Sequence, residues 1–300
     1  MKQVDLHLHT DLSDGKLTPV QLIKQAKKKS LSAVAITDHD ITDGIEPAIK
    51  YGAKSGIEVI PGIELSCEYK SSEIHLLGYF INWENRWFQS KLKVLQKARE
   101  RRAYYILSKL QNIGIDIDEQ MLFAQAGNGA IGRMHFARCL VDMGEVENIR
   151  EAFKRYLGKG GPAFVKKLRL SPVEALNMIH RVAGISVLAH PPFGISHKNF
   201  IRRLVRQGLS GIEIYHPLLT VKQRKKFKNI ARELGLVVTG GSDSHGAGPE
   251  DTPLGTTKIG YQPVDNMKSA LQRIELKNQI IMDTEENKLF VTSREVNESV

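Results

Sequence analysis

Short apolar runs rich in β-branched residues recur along this chain, separated by stretches whose apolar positions fall at helical spacing. The runs predict strands at 3–8, 33–37, 57–61, 74–81, 185–189, 211–215 and 236–240. Helices are expected near 18–29, 44–55, 198–207 and 220–233, with another opening at Ser171-Pro172. Thr18-Pro19 supplies an N-cap and first-turn pair that fixes the first helix start. Continuous apolar strands alternating with helices imply an α/β chain of βα units around a parallel sheet buried on both faces. Between about 83 and 165 the pattern changes. A long helical stretch over 88–111, closed by Gly114, is followed by pieces near 118–125, 133–143 and 148–157, with breaks at Gly127, Gly129 and Gly132. The expected organisation is a discontinuous barrel over 1–82 and 166–280, a helical cap inserted at 83–165, and a C-terminal tail over 281–300. A cap that leaves and re-enters on the functional rim would cover it, with Trp83 and Trp87 packing at the hinge.

Polar exceptions to the apolar pattern carry the chemistry. In Val4-Asp5-Leu6-His7-Leu8-His9, alternation puts His7 and His9 on one face of the strand. Two adjacent imidazoles suit a divalent metal. Further ligand-type residues are Asp14, His39 in Thr37-Asp38-His39, Glu64, His75, His190, and Asp243 and His245 in Gly241-Ser242-Asp243-Ser244-His245. Most stand where an apolar run stops, and in barrels the C-terminal strand ends converge on one rim. Histidines and carboxylates without thiolates favour Mn, Zn, Fe or Mg. Asp38 and Asp40 are expected to support the ligands or cap a helix, Cys67 to be a small buried residue, and His180, His197 and His216 to be structural or exposed.

Charge sharpens the picture once it is located. The chain of 300 residues carries +10, and Arg86–Arg169 holds seventeen Lys and Arg against eight Asp and Glu, a net of +9. Positive charge concentrated in the insertion is the footprint of a polyanionic ligand. Arg99 and Arg102 share a helix face, while Arg133 stands near a helix N-terminus with His135 two residues on, so these four are the candidate substrate contacts. Two distant cysteines, Cys67 and Cys139, point to a reducing compartment, and the absence of a long apolar stretch argues against membrane insertion. The expected location is cytoplasmic, and no obligate protein partner is implied.

The motifs DLHLHT, ITDHD, GIEL and GSDSH together resemble the polymerase and histidinol phosphatase (PHP) family over nearly the whole chain. The resemblance implies a distorted (β/α)7 barrel holding two or three divalent ions, manganese first among the candidates. By the same resemblance the ligands are His7, His9, Asp14, His39, Glu64, His75, His190, Asp243 and His245, with Glu64, His190 and Asp243 at the catalytic centre. Many members carry His where this chain has Asp14, which is also a competent hard ligand. Paired ions about 3.5–4 Å apart acidify a bridging water, orient a phosphoryl group and stabilise the leaving oxygen, so hydrolysis by a metal-bound hydroxide is implied. The basic insertion, with Phe153-Lys154-Arg155-Tyr156-Leu157, is similar to the subgroup acting on nucleoside 3′,5′-bisphosphates and, as a 5′-to-3′ exoribonuclease, on short RNA. There the cap holds the 5′-phosphate while the metals cleave the 3′ ester. The alternatives are a histidinol-phosphate or other small-molecule phosphatase, which leaves the +9 segment unexplained, and a metal-stabilised binding module without activity.

Overall fold

A computed structural model describes residues 2–70, 72–126, 131–191, 198–246, 251–257 and 259–273. The expected tail at 281–300, the last stretch of the expected barrel at 274–280, the breaks at Gly127 and Gly129, and His197 lie outside the described residues. The chain divides into a unit over Met1–Tyr261, which holds everything that follows, and a C-terminal unit from Gln262 in which 262–273 are helical.

The larger unit is a distorted (β/α)7 barrel. Its strands are β1 (Gln3–Asp5), β2 (Ala33–Ile36), β3 (Glu58–Tyr69), β4 (Ser72–Tyr79), β5 (Ile185–Leu188), β6 (Gly211–Tyr215) and β7 (Val237–Gly240). They pair in sequence order, β1 to β3 and β5 to β7 in parallel, with β4 antiparallel to both its neighbours. Beyond β1 and β7 the chain closes the ring through Leu6 N–H to Gly240 O at 3.3 Å, Asp243 N–H to His7 O at 3.0 Å and His9 N–H to Ser244 O at 3.0 Å. Gly241 permits this closure, because a Cβ there would stand 2.4 Å from the His7 backbone nitrogen. A short β8 (Ile259–Gly260), absent from the expected pattern, runs antiparallel beside β1.

Helices α1 (Pro19–Lys28), α2 (Ile45–Ser55), α7 (Pro172–Arg181), α8 (Lys198–Arg206) and α9 (Val221–Leu234) contribute apolar faces to the barrel's core. Thr18 and Ser171 cap α1 and α7, each within a reciprocal box closed by Gln21 and Glu174. The inserted segment has its own core around Ile106, Leu110, Phe136, Leu140 and Leu157. Its elements are α3 (Arg86–Gln111), α4 (Glu119–Ala126), α5 (Arg133–Asp142) and α6 (Ile149–Ala152), the last continuing as a π-helical turn over Phe153–Leu157 rather than one α-helix to 157.

Two expectations need correction. β3 does not stop at Pro61 but runs to Tyr69 and turns directly into β4, so the fourth strand points the other way. The insertion therefore leaves from the end of the barrel opposite the ligands, since Tyr79 lies beside Ile185 at the start of β5. α3 recovers the distance. Its 26 residues span roughly 39 Å, burying Phe88, Leu92 and Leu95 in the barrel's core and Ala103, Ile106 and Leu110 in that of the insertion. Trp83 and Trp87 pack beside the barrel's core at its start, with Arg181 lying 4.2 Å above the Trp87 ring.

Candidate metal centre and its cavity

The ligand-type residues stand on short extensions of strands whose backbones remain stitched together. Thr37 N–H reaches Leu8 O at 2.9 Å, Glu64 N–H reaches Asp38 O at 3.1 Å, and Ala189 N–H reaches His75 O at 3.1 Å. His75 comes from the antiparallel β4, so it enters the rim from the beginning of its strand rather than the end. Asp243 adopts φ 54°, a left-handed conformation that an aspartate tolerates and that turns its carboxylate toward His7 and His9.

All nine residues converge. Glu64, fully buried, presents Oε2 to His7 Nε2, His9 Nε2 and His39 Nδ1, each at 3.2 Å. Its Oε1 faces His75 Nδ1 at 2.9 Å and His190 Nε2 at 3.1 Å. Asp243 Oδ1 lies 3.0 Å from His9 Nε2 and 3.3 Å from His7 Nε2. Asp14, the most exposed member, lies 3.4 Å from His245 Nε2 and 3.7 Å from His9 Nδ1 and His39 Nε2. Among the described residues, four overlapping groups have donor atoms close enough for one ion each: His7, His9, Glu64 and Asp243; His39, Glu64 and His75; His9, Asp14, His39 and His245; and His7, Glu213 and His216.

These donors fit divalent ions. His7 Nε2, His9 Nδ1, His39 Nδ1, His75 Nδ1 and Glu64 Oε2 are buried and lack well-formed hydrogen bonds, a costly arrangement unless a cation takes their lone pairs. Burial draws His39 down to about 3 and keeps it neutral. Burial opposes charging His75 as well, but the Glu64 carboxylate outweighs it and raises the ring to about 9. Burial also works against ionising Glu64 and Asp243, yet the surrounding histidines hold both well below the usual carboxylate range. Ionised carboxylates are the form that binds metal, and a histidine such as His75 gives up its proton when a cation takes its lone pair.

Two residues outside the expected set complete the site. Glu213, fully buried on β6, accepts from His7 Nδ1 at 3.1 Å and from His190 N–H at 2.8 Å. Its carboxylate is depressed, against burial, chiefly by His7, so it can only accept, and His7 is fixed with Nε2 free for a metal. His216, expected to be structural or exposed, is instead buried 3.3 Å from Asp243 Oδ2. Its Nδ1 accepts Leu218 N–H at 3.2 Å, so Nε2 carries the hydrogen and donates to Asp243, positioning that carboxylate. Asp38 supports the rim, accepting Thr10 N–H and Thr10 Oγ1 at 2.7 Å and Ser13 Oγ at 2.5 Å, while Gly44 rather than either aspartate caps α2.

A cavity of about 790 Å³ opens beside Asp14, His39 and His75 and reaches the insertion. Arg99, Arg102, Arg133 and His135 all line it, but they are not equivalent. Arg99 is ion-paired with Asp40, itself in a left-handed conformation at φ 56°, so its charge is already committed. Arg102 is nearly buried, with Nε donating to Val165 O at 2.9 Å. Arg133 stands between the Phe153 and Phe164 rings, 5.4 and 6.0 Å from their centroids, and spends one N–H on Leu157 O at 3.2 Å. His135 Nδ1 accepts Gly132 N–H at 3.0 Å and closes the start of α5. Burial and the charge of Arg133 lower Arg102 to about 10. Guanidiniums that disfavour one another's charge are stabilised by an anion placed among them. Lys167 and Arg169 also line the cavity, on the segment returning to the barrel, and Glu73 lies 3.6 and 2.6 Å from them. Their spacing of two on an extended stretch was the available signal for a shared side.

The PHP domain pattern matches residues 5–243. The chain is 35% identical over 248 residues to a 5′-3′ exoribonuclease of Haemophilus influenzae, an alignment covering 81% of this chain and 90% of that protein. It is 32% identical over 264 residues to a 3′,5′-nucleoside bisphosphate phosphatase of Chromobacterium violaceum, covering 86% and 92%. A crystal structure named as a metal-dependent phosphoesterase, from Bifidobacterium adolescentis, superposes with a TM-score of 0.79 at 28% identity, covering 88% of this chain and 94% of that one.

Proposed function

Because the chain belongs to the PHP family and is a metal-dependent phosphoesterase, we propose that it removes the 3′-phosphate of nucleoside 3′,5′-bisphosphates and releases nucleotides from the 5′ end of short 5′-phosphorylated RNA. The observation that carries this reading is a single cavity lined by two chemically different groups. Asp14, His39, His75 and His245 of the ligand cluster line it, and so do the guanidiniums of Arg102 and Arg133. A substrate with two phosphates meets both, whereas a small monophosphate leaves the arginines without a partner. Similarity to an exoribonuclease and to a bisphosphate phosphatase supports the same assignment.

In this reading His7, His9, Glu64, Asp243, His39, His75, His190, Asp14 and His245 hold divalent ions, with manganese favoured and two or three per chain. Such ions supply Lewis-acid charge to the phosphoryl oxygens and acidify water. The protein's own groups do the rest. Glu213 fixes the His7 tautomer, and His216 holds Asp243 through Oδ2 so that Oδ1 faces His7 and His9. Arg102 and Arg133 grip the 5′-phosphate, and Arg133 is pre-oriented by its two rings. Arg99 orders Asp40, which in turn accepts Ser66 N–H at 3.0 Å beside Glu64. The same hydrolysis serves both substrates because only the leaving group differs.

Metal-reconstituted protein offered a 3′,5′-bisphosphate, a short 5′-phosphorylated RNA, a 2′,3′-cyclic nucleotide and histidinol phosphate decides the matter. The bisphosphate and RNA should be turned over at least about 100-fold faster, by kcat/KM, than the monophosphate lacking a second anion. Preferential hydrolysis of histidinol phosphate would overturn the assignment.

A further inference from the structure

A second basic surface lies outside the insertion. α9 carries Lys222, Arg224, Lys225, Lys226, Lys228 and Arg232 against one acid, Glu233. Glu233 is occupied, lying 2.5 Å from Lys198 and 3.2 Å from Arg202. The chain outside the insertion sums to near neutrality only because its acids include Asp14, Glu64, Glu213 and Asp243, whose charges face the inner cluster. Lys222, Lys225 and Lys226 are exposed, and among the described residues none of them forms an ion pair.

Immediately before this helix, Leu218 and Val221 are 71% and 83% exposed, the two most exposed large apolar residues among those described. They do not sit on a loose connection. Arg224 donates to His216 O at 2.8 Å, Leu219 N–H reaches the same oxygen at 3.1 Å, and Thr220 and Gln223 form a reciprocal cap. The loop is thus pinned to His216, which touches Asp243 in the ligand cluster.

Position decides what this surface meets. The cavity reaching the arginines is lined by residues that follow β1 and β2, by residues within β3 and β4, by the insertion and the segment returning from it, and by His245 and Asp251, and among the described residues the end of β6 does not line it. An RNA whose 5′-phosphate lies among those arginines and whose scissile ester lies at the cluster must continue away from the insertion. The His216–Val221 loop and the start of α9 follow β6, whose end reaches the ligand cluster through His216 and Asp243 rather than through that cavity.

We propose that the His216–Val221 loop and the first turns of α9 bind the continuing strand of single-stranded RNA, on the nucleotides 3′ to the scissile ester. Lys222 and Lys226, one helical turn and roughly 6 Å apart along the axis, and Lys225 between them contact phosphates. Leu218 and Val221 offer apolar ground to base faces, giving a track that is tolerant of sequence. The inference rests on the exoribonuclease part of the proposed function.

The test compares wild type with the triple variant K222Q/K225Q/K226Q on a 3′,5′-bisphosphate and on a 5′-phosphorylated eight-nucleotide RNA, across a salt series. The bisphosphate, which does not reach α9, should be hydrolysed within about 2-fold of wild type, which also certifies the fold. For the RNA, kcat/KM should fall about 10-fold through KM at low salt, and the slope of log kcat/KM against log salt should become shallower by about 2, near 0.7 for each lost phosphate contact on a single strand. Leu218→Ser should weaken the RNA reaction without changing that slope. Unchanged RNA turnover and salt slope in the triple variant, or an equal loss on the bisphosphate, would overturn the track. A wild type that cleaves the bisphosphate but not RNA would instead refute the exoribonuclease reading. In that case, binding of a fluorescent eight-nucleotide RNA to metal-loaded protein still decides: weaker binding by the triple variant supports the track, and equal affinity overturns it.

Discussion

Replacing Arg133 with alanine removes a guanidinium that the structure has already paid to orient. Phe153 and Phe164 lie beside it, Leu157 O takes one of its five N–H groups, and among the described residues no other hydrogen bond or ion pair engages its remaining donors, which line the cavity. A charge-assisted hydrogen bond to the 5′-phosphate contributes about 1.5–3 kcal/mol, so kcat/KM for a 5′-phosphorylated substrate should fall about 10- to 150-fold. Losing the contacts with the two rings also costs the fold about 1–2 kcal/mol, which a thermal melt measures separately. Arg133→Lys should recover part of the loss, because an ammonium keeps the charge but not the planar fork. The assay is initial rate on one RNA with and without its 5′-phosphate, at fixed metal and salt. The substrate with a free 5′-hydroxyl should hardly change. An equal slowing of both would show that Arg133 acts on the reacting centre or on folding, and the placement of the 5′-phosphate would be wrong.

Other variants separate holding, orienting and binding. Glu64→Gln should lower turnover by about 1,000-fold or more with the fold retained, because one carboxylate serves five histidines. Asp14→Ala should be milder, since that side chain is 41% exposed and its contacts are 3.4–3.7 Å, and metal analysis beside kinetics would expose an equal loss at both sites. Glu213→Gln should cost about 10- to 100-fold in metal affinity or activity by releasing the His7 tautomer, seen in a metal titration. Arg99→Ala should chiefly destabilise, by about 3 kcal/mol in denaturant unfolding, because it strands the buried Asp40 carboxylate, and a selective loss on 5′-phosphorylated substrates would contradict this. Chelation should lower Tm, and manganese at about 100 times its Kd should restore about 2.7 kcal/mol.

The candidate metal centre was legible from sequence because its ligand-type residues break an otherwise apolar pattern. His7 and His9 interrupt Leu6 and Leu8 at period two, and His39 and His190 follow apolar runs directly. Glu213 breaks the same pattern inside Gly211-Ile212-Glu213-Ile214-Tyr215, and His216-Pro217 repeats His190-Pro191 at the next strand end, so both carry a signal in the sequence. The direction of β4 left none. Whether a strand runs parallel or antiparallel depends on its connections, and the run of β3 past Pro61 to Tyr69 removed the helix that a βα unit would require. Arg99 shows a different limit. Its helix face pointed correctly to the cavity, but Asp40 is 59 positions away, and no local spacing shows that the two pair.

Which phosphate leaves a 3′,5′-bisphosphate tests the central claim most directly. Metal-loaded protein is given adenosine 3′,5′-bisphosphate and the nucleoside product is identified by chromatography against both monophosphate standards. Arginines that hold the 5′-phosphate away from the ligand cluster predict the 5′-monophosphate and inorganic phosphate, with turnover lost on chelation. Accumulation of the 3′-monophosphate would place the 5′-phosphate at the metals and contradict the account.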